Sequence, residues 1–262
     1  MLVFDEKKYA EKLLKNRNFE TYRQRDVERY ILMRYLVSEG LDFDEIKGRL
    51  SRFPLIGCEY LDKKTVDTIY KKILDKATSC ELVTGIKVTI YKEEMEIINS
   101  LSCDDVKGLL FVLLVYYKWA ISQPYLYFYS RKNNVKMALV NDKDCWKLAN
   151  LMKLRVLDRY KLCNELLSKG LYQEDNFKSH NYFYLPFAKD SGEVAFEISN
   201  YENLLGELKF YNDKDNYKRC SICGVVIKKT RSPKKYCSDC AYKEKRKYDK
   251  IGKTQIEKAP IK

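Results

Sequence analysis

Four cysteines near the end of the chain, Cys220, Cys223, Cys237 and Cys240, constrain what it can fold into more than any other feature. They read C-x2-C-x13-C-x2-C. Two such turns can bring four thiolates to about 2.3 Å from one Zn²⁺. Four sulfurs leave no coordination position open for substrate, so the spacing predicts one structural zinc ion and no catalytic one. The surrounding fifty or so residues have too little apolar content to hold a core without such a staple. Disulfides would need an oxidising compartment. The opening Met1-Leu2-Val3-Phe4 passes directly into Asp5-Glu6-Lys7-Lys8, with no apolar segment of the signal-peptide kind. A thioredoxin-type motif would place a single Cys-x-x-Cys at a helix start after a strand. The expectation is therefore a reduced, cytoplasmic setting, with Cys58, Cys80, Cys103, Cys145 and Cys163 as reduced core residues.

Charge supplies the second constraint. Residues 213–262 hold sixteen Lys and Arg against six Asp and Glu, an excess of ten out of the chain's +13. The loop between the cysteine pairs carries Lys228, Lys229, Arg231, Lys234 and Lys235, and Lys243, Lys245, Arg246 and Lys247 follow the last cysteine. A basic excess this concentrated acts on a polyanion, here nucleic acid, and on DNA rather than RNA. A solubilising tail is the plain alternative. From Ser238 onward the stretch reads as a helix capped by Ser238 or Asp239.

The fold class expected is mainly α (α+β), in three parts: a helical module at 1–83, a winged helix-turn-helix-like domain at 84–212, and a basic four-cysteine zinc module at 213–262. In the first, Tyr22–Val37, Asp42–Leu50 and Leu61–Ala77 read as helices, with Ser38-Glu39-Gly40 as a stop. The acids Asp42, Asp44 and Glu45 suit a solvated helix start better than a metal site. In the second, Ile86–Ile90 alternates like a strand, and two helices follow between Lys92 and Ser122 around Cys103-Asp104-Asp105. The apolar run Leu109–Tyr117 stops at Lys118, too short to span a bilayer and suited to a buried helix, so no membrane partner is expected.

The order of the remaining pieces suggests the winged helix. Asp144–Leu151 is a short helix with Trp146, Leu148 and Ala149 as core candidates, Met152-Lys153-Leu154 is a turn, and a longer helix runs to Lys169 before Gly170. On it Val156, Leu157, Tyr160, Cys163, Leu166 and Leu167 form one apolar stripe, expected to face inward. Tyr182–Phe187 and Val194–Ile198, with Asp190-Ser191-Gly192 at the bend, would form the wing. The opposite helix face would show Arg155, Asp158, Arg159 and Asn164. Arg155 and Arg159 are then the candidates for reading guanine edges, Lys153 and Lys161 lie near phosphates, and Lys178, His180 and Lys189 lie on the wing. This part is nearly neutral, so a protein-docking role is equally open.

Phe4-Asp5-Glu6-Lys7-Lys8-Tyr9-Ala10-Glu11-Lys12-Leu13-Leu14, Leu109–Val115, and the ending Arg219–Cys223 to Lys235–Cys240 together resemble uncharacterised proteins of phages and mobile elements of low-GC Gram-positive bacteria. The resemblance implies a phage or mobile-element origin and an intracellular setting. It carries over zinc-ligand roles for the four cysteines and no catalytic residue.

Catalysis is not expected. His180 is the single histidine, no phosphate-binding glycine loop is present, and Asp104-Asp105 sit where a helix start needs acids. The functional expectation is a non-enzymatic, zinc-containing DNA-binding protein of the host-cell cytoplasm. The alternative is a phage-encoded interaction protein that docks onto and inhibits a host nucleic-acid-handling (defence) complex.

Overall fold

The computed structural model describes residues 3–19, 25–51, 53, 62–79, 82–83, 85–123, 127–130, 134–139, 142–177, 180–201, 203–230, 234–238, 240–242 and 244, with backbone alone at 25, 26, 128, 142, 176, 177 and 180. They form a mixed α+β chain in two compact units, Met1–Lys87 and Val88–Lys262.

In the first unit, helices α1 (Glu6–Asn16), α2 (Arg25–Ser38), α3 (Phe43–Leu50) and α4 (Lys63–Thr78) pack around Leu13, Ile31, Leu32, Leu36 and Ile46. Gly40, at φ 79°, ends α2, and the left-handed conformation there is one that glycine adopts freely. Asp42 is the N-cap of α3 and shares a capping box with Glu45, which is the solvated helix start its acids suggest. The core also holds charge: Arg34 Nη1 lies 2.8 Å from Glu6 Oε2, and the Tyr9 hydroxyl donates to Glu28 at 2.7 Å. Burial raises the Glu6 carboxyl against the pull of the Val83 amide and Arg34.

The second unit is built on one helix. After β1 (Val88–Tyr91) and α5 (Lys92–Asn99) comes α6 (Asp104–Ile121), apolar almost all round and buried from Gly108 to Tyr117. The lysine near its end is largely covered too. Lys118 Nζ sits 2.7 Å from the fully buried Glu94 Oε1, donates to the Thr89 carbonyl at 2.9 Å and lies 4.3 Å from the Tyr91 ring centroid. Glu94 in turn accepts the backbone N–H groups of Tyr91 and Lys189. Cys103, taken for a core residue, is exposed at the start of α6, while Cys145 is buried and Cys163 half-buried; Cys58 and Cys80 lie outside the described residues. No described helix is long and apolar enough to cross a membrane.

Next come β2 (Tyr127–Ser130), β3 (Val135–Leu139), α7 (Asp142–Leu148), α8 (Val156–Ser168), β4 (Gln173–Phe177), β5 (His180–Tyr184), β6 (Val194–Ile198) and α9 (Leu204–Asn212). The four-stranded sheet runs β2-β3-β5-β4, while β6 pairs with β1 in a separate two-stranded sheet. The wing expected from Tyr182–Phe187 and Val194–Ile198 is therefore not a hairpin. Their phenylalanines pack against different turns of α6: buried Phe183 stacks on Tyr116, whereas half-buried Phe196 packs on Phe111 and on Tyr211 of α9. The hairpin that does follow α8 is β4–β5, with register Gln173↔Tyr184.

Candidate metal centre

The last two described strands are β7 (Tyr217–Arg219) and β8 (Val226–Lys228), an antiparallel pair in register Lys218↔Ile227. Cys220 follows β7 directly. Its N–H bonds the Val225 carbonyl at 2.8 Å and its carbonyl accepts from Gly224 at 3.0 Å, closing a tight knuckle that puts Cys223 at the tip. Gly224 has φ 73°, a turn geometry that would strain any residue with a Cβ. On the far side Ser221 N–H bonds the Lys235 carbonyl at 3.2 Å, drawing the second pair alongside. Ala241 N–H bonds the Cys237 carbonyl at 2.9 Å, the helical turn that carries Cys240. It begins at Ser238, where the sequence suggested a helix.

All four Sγ atoms lie within 4.8 Å of one another, and Cys223 Sγ to Cys237 Sγ is 3.6 Å. A regular tetrahedron with sulfurs about 2.3 Å from its centre has edges of about 3.8 Å. The four cysteines could thus coordinate one metal ion with little rearrangement, and they are the only such cluster among the described residues. Two sulfurs also accept backbone N–H groups: Cys220 from Cys237 at 3.3 Å and Cys237 from Cys240 at 3.4 Å. These bonds favour the thiolate and orient it.

The thiols divide the proton unequally. Burial would raise Cys220, but the amides of Cys223, Cys237 and Ile222 outweigh it and bring the thiol down to about 6. Burial and the three neighbouring sulfurs push Cys240 up to about 12. Four thiolates this close repel one another, and a divalent cation at their centre is the group that lets all four ionise. The four described donors are all thiols, with no histidine or carboxylate among them, which is the donor set of structural sites.

The module is anchored to the body of its unit by a contact the sequence reading missed. Arg219, one residue before the first ligand, forms a bidentate pair with Glu207 of α9, at 2.9 and 2.7 Å. Its guanidinium carbon lies 5.0 Å from the Phe210 ring centroid, and it also donates to the Gly224 carbonyl at 3.2 Å. Asn203, the N-cap of α9, donates to Val226 of β8 at 3.2 Å. The signal available was Asn203 ahead of Leu204-Leu205 and Leu208, a cap before an apolar helix.

Of the expected nucleic-acid contacts, Lys228, Lys229, Lys234 and Lys235 are exposed around the tetrad. Arg231, Lys243, Lys245, Arg246 and Lys247 lie outside the described residues, as do Lys178 and the His180 side chain. Lys153 and Lys161 are exposed. Arg155 projects from the N-cap of α8 but is engaged by Asp158, at 2.8 Å from Nε. That pairing raises the Arg155 guanidinium and lowers the Asp158 carboxyl.

Arg159 does not stand on the open face expected of it. It is half-buried, with its guanidinium carbon 6.0 Å from the Trp146 ring centroid. The apolar stripe is reversed to match: Leu166 is buried, whereas Val156, Leu157, Tyr160 and Leu167 are 57, 71, 63 and 43% exposed. The reason is helical phase. Arg159, Leu162 and Leu166 fall on one side of the helix and are half-buried or buried, which leaves the neighbouring apolar residues facing out.

The chain matches no protein-family model, no curated protein and no solved structure.

Proposed function

We propose that this is a zinc-stabilised, non-enzymatic protein that binds nucleic acid, duplex DNA in particular, as part of phage or mobile-element biology in a host cytoplasm. One observation carries the reading: the closed tetrad of Cys220, Cys223, Cys237 and Cys240, with Lys228, Lys229, Lys234 and Lys235 exposed around it. Zinc suits an all-thiolate tetrahedral set, and it would hold these lysines in a defined array on an otherwise coreless segment. Affinity then comes from phosphate neutralisation by this array and the basic residues after it.

The order α6, β2, β3, α7, α8 and hairpin β4–β5, with β3 beside β5 and β2 added at the sheet edge, supports a winged-helix reading in which β4–β5 is the wing. Lys153, exposed on the turn before α8, and Arg155 and Lys161, which share Asp158, are the side chains a duplex would meet there, with Arg159 left to pack on Trp146. The second reading, a protein that docks on and inhibits a host nucleic-acid-handling complex, is favoured by the bare apolar face of α8.

The test is binding of the purified protein to duplex DNA, single-stranded DNA and RNA over a salt series, alongside metal analysis. The expected result is one zinc per chain and a duplex complex whose affinity falls steeply with salt. No complex at low salt would end the DNA reading and leave the docking one; zinc-free protein that still folds over 213–244 would end the metal reading.

A further inference from the structure

The four sulfurs of the cysteine cluster are not equally open. Cys220 and Cys240 are 3 and 6% exposed, whereas Cys237 is half-buried and Cys223, at the tip of its knuckle, is exposed. The two accessible members come from different Cys-x-x-Cys pairs, and their Sγ atoms lie 3.6 Å apart. That is close to the separation of about 3–3.5 Å from which bonds form. A bridge inside the first pair would instead have to draw out Cys220, whose sulfur is buried and accepts the Cys237 N–H at 3.3 Å. Exposed Lys228, Lys229, Lys234 and Lys235 make the surroundings electropositive, the setting in which a partly open thiolate reacts instead of lying inert.

We propose that Cys223 is an oxidation site, with Cys237 as its resolving partner, through which hydrogen peroxide opens the metal centre; the inference rests on the zinc reading above. The Cys223 thiolate attacks one oxygen of the peroxide, so that an S–O bond forms, the O–O bond breaks and hydroxide leaves. The Cys237 thiolate then attacks the Cys223 sulfur, the S–S bond forms, and a second hydroxide leaves. Two thiolates have given up two electrons, and the peroxide has been reduced to two hydroxide ions. Cys220 and Cys240 remain as the only thiolate ligands, half of the set that a structural zinc site needs, and the ion is lost to solution. The new link tethers the two knuckles by their accessible sulfurs, while the buried sulfurs lose the charge that held them together. What the module forfeits is the fixed spacing of its lysines, and with it the ordered meeting with phosphates. Thiol reductant and zinc restore both.

The test treats the full chain, reduced and zinc-loaded, with hydrogen peroxide in the presence of a zinc-sensitive dye. The expected result is one zinc released per chain as two thiols are lost, a Cys223–Cys237 bond in the digested product, and a fall in duplex affinity that reductant and zinc reverse. Trypsin cuts between the pairs at Lys228 and Lys235, so a bond across them joins two peptides and a bond within a pair does not; fragmentation then assigns the sulfurs. Cys103→Ser, which removes an exposed thiol outside the cluster, should release zinc at the wild-type rate. Cys223→Ser weakens the site itself, so the mapped bond decides the pairing. Zinc kept through the treatment, or released with no bond at Cys223, overturns the inference and leaves the zinc reading intact. A bond within either pair overturns the role of Cys237. A chain purified without zinc overturns both readings. Release and bond mapping need no DNA, so they decide the inference whatever the duplex assay returns.

Discussion

Helices α6 and α8 lie in the same unit and both carry long apolar patterns, yet they end in opposite circumstances. α6 is enclosed by α5, α7, α8, α9 and strands β1 and β3, and even its Lys118 is largely covered. α8 touches α6 along one edge and shows solvent the larger part of its apolar surface. The contrast teaches that a helical period identifies a helix and the width of its apolar face, but not how much of that face the fold covers. A helix apolar all round has only one stable place, the centre. A helix with an apolar stripe two residues too wide has a choice, and the charges beside the stripe decide it. On α8 the flat guanidinium of Arg159 stacks against Trp146 and takes an inward position that an aliphatic residue would otherwise have filled.

The sharpest way to break this comparison is through charge. Lys118→Ala strands the Glu94 carboxylate in the core of the second unit, at an expected loss of about 3–5 kcal/mol in denaturant unfolding. Arg155→Ala removes a surface pair on α8 and should leave the midpoint unchanged. A small loss at Lys118 would mean that water reaches the pair and that α6 is less enclosed than described.

Truncating apolar side chains comes next. Leu114→Ala on α6 should cost about 3 kcal/mol, whereas Leu157→Ala on α8 should stay within about 0.5 kcal/mol. Equal losses would show α8 to be covered within the monomer.

A third difference is visible in alkali. Burial, with smaller contributions from Asp190 and Tyr184, pushes the Tyr117 phenol from 10.0 up to about 12. Between those values the unfolded chain releases the proton while the folded chain keeps it. Stability should therefore be untouched below pH 10 and fall above it, by on the order of 2 kcal/mol. Tyr117→Phe should remove that slope at the expense of the hydrogen bond to the Lys136 carbonyl, and Tyr160→Phe, on the open face, should not alter it. A slope that survives Tyr117→Phe would assign the loss elsewhere.

The smallest expected effect lies at the join between α9 and the cysteine knuckle. Arg219→Ala should cost about 1 kcal/mol, reduced by partial exposure of the arginine. Amide exchange should quicken over β7 and β8 and zinc affinity should fall, while the α6 core keeps its protection. Unchanged exchange there would show that the four sulfurs alone hold the knuckle.

Much of this was legible in the chain. The tetrad followed from cysteine spacing, because chelation by Cys-x-x-Cys turns depends on a few adjacent residues. The stop at Gly40, the cap at Asp42 and the burial of the Leu109–Tyr117 helix followed for the same reason. Hairpin β2–β3 and helix α9 went unread although local signals existed, the turn-forming pair Asn133-Asn134 in the sequence and the Asn203 cap. The pairing of β6 with β1 rather than β5 had no local signal, since the partners are about a hundred residues apart.

What the amino-acid sequence determined by itself is therefore the set of short-range devices: caps, stops, the wholly apolar helix and the four-sulfur cluster. Each is satisfied by residues near in sequence, the caps and stops within a turn and the four sulfurs within residues 220–240, so a short stretch of chain suffices to specify it. The tertiary structure alone decided which edge of α8 meets α6, which strand completes which sheet, and that Glu94 and Arg219 would be held by charges from distant elements. Those outcomes are settled by competition for one limited buried volume, and no residue carries the result of that competition in its own side chain.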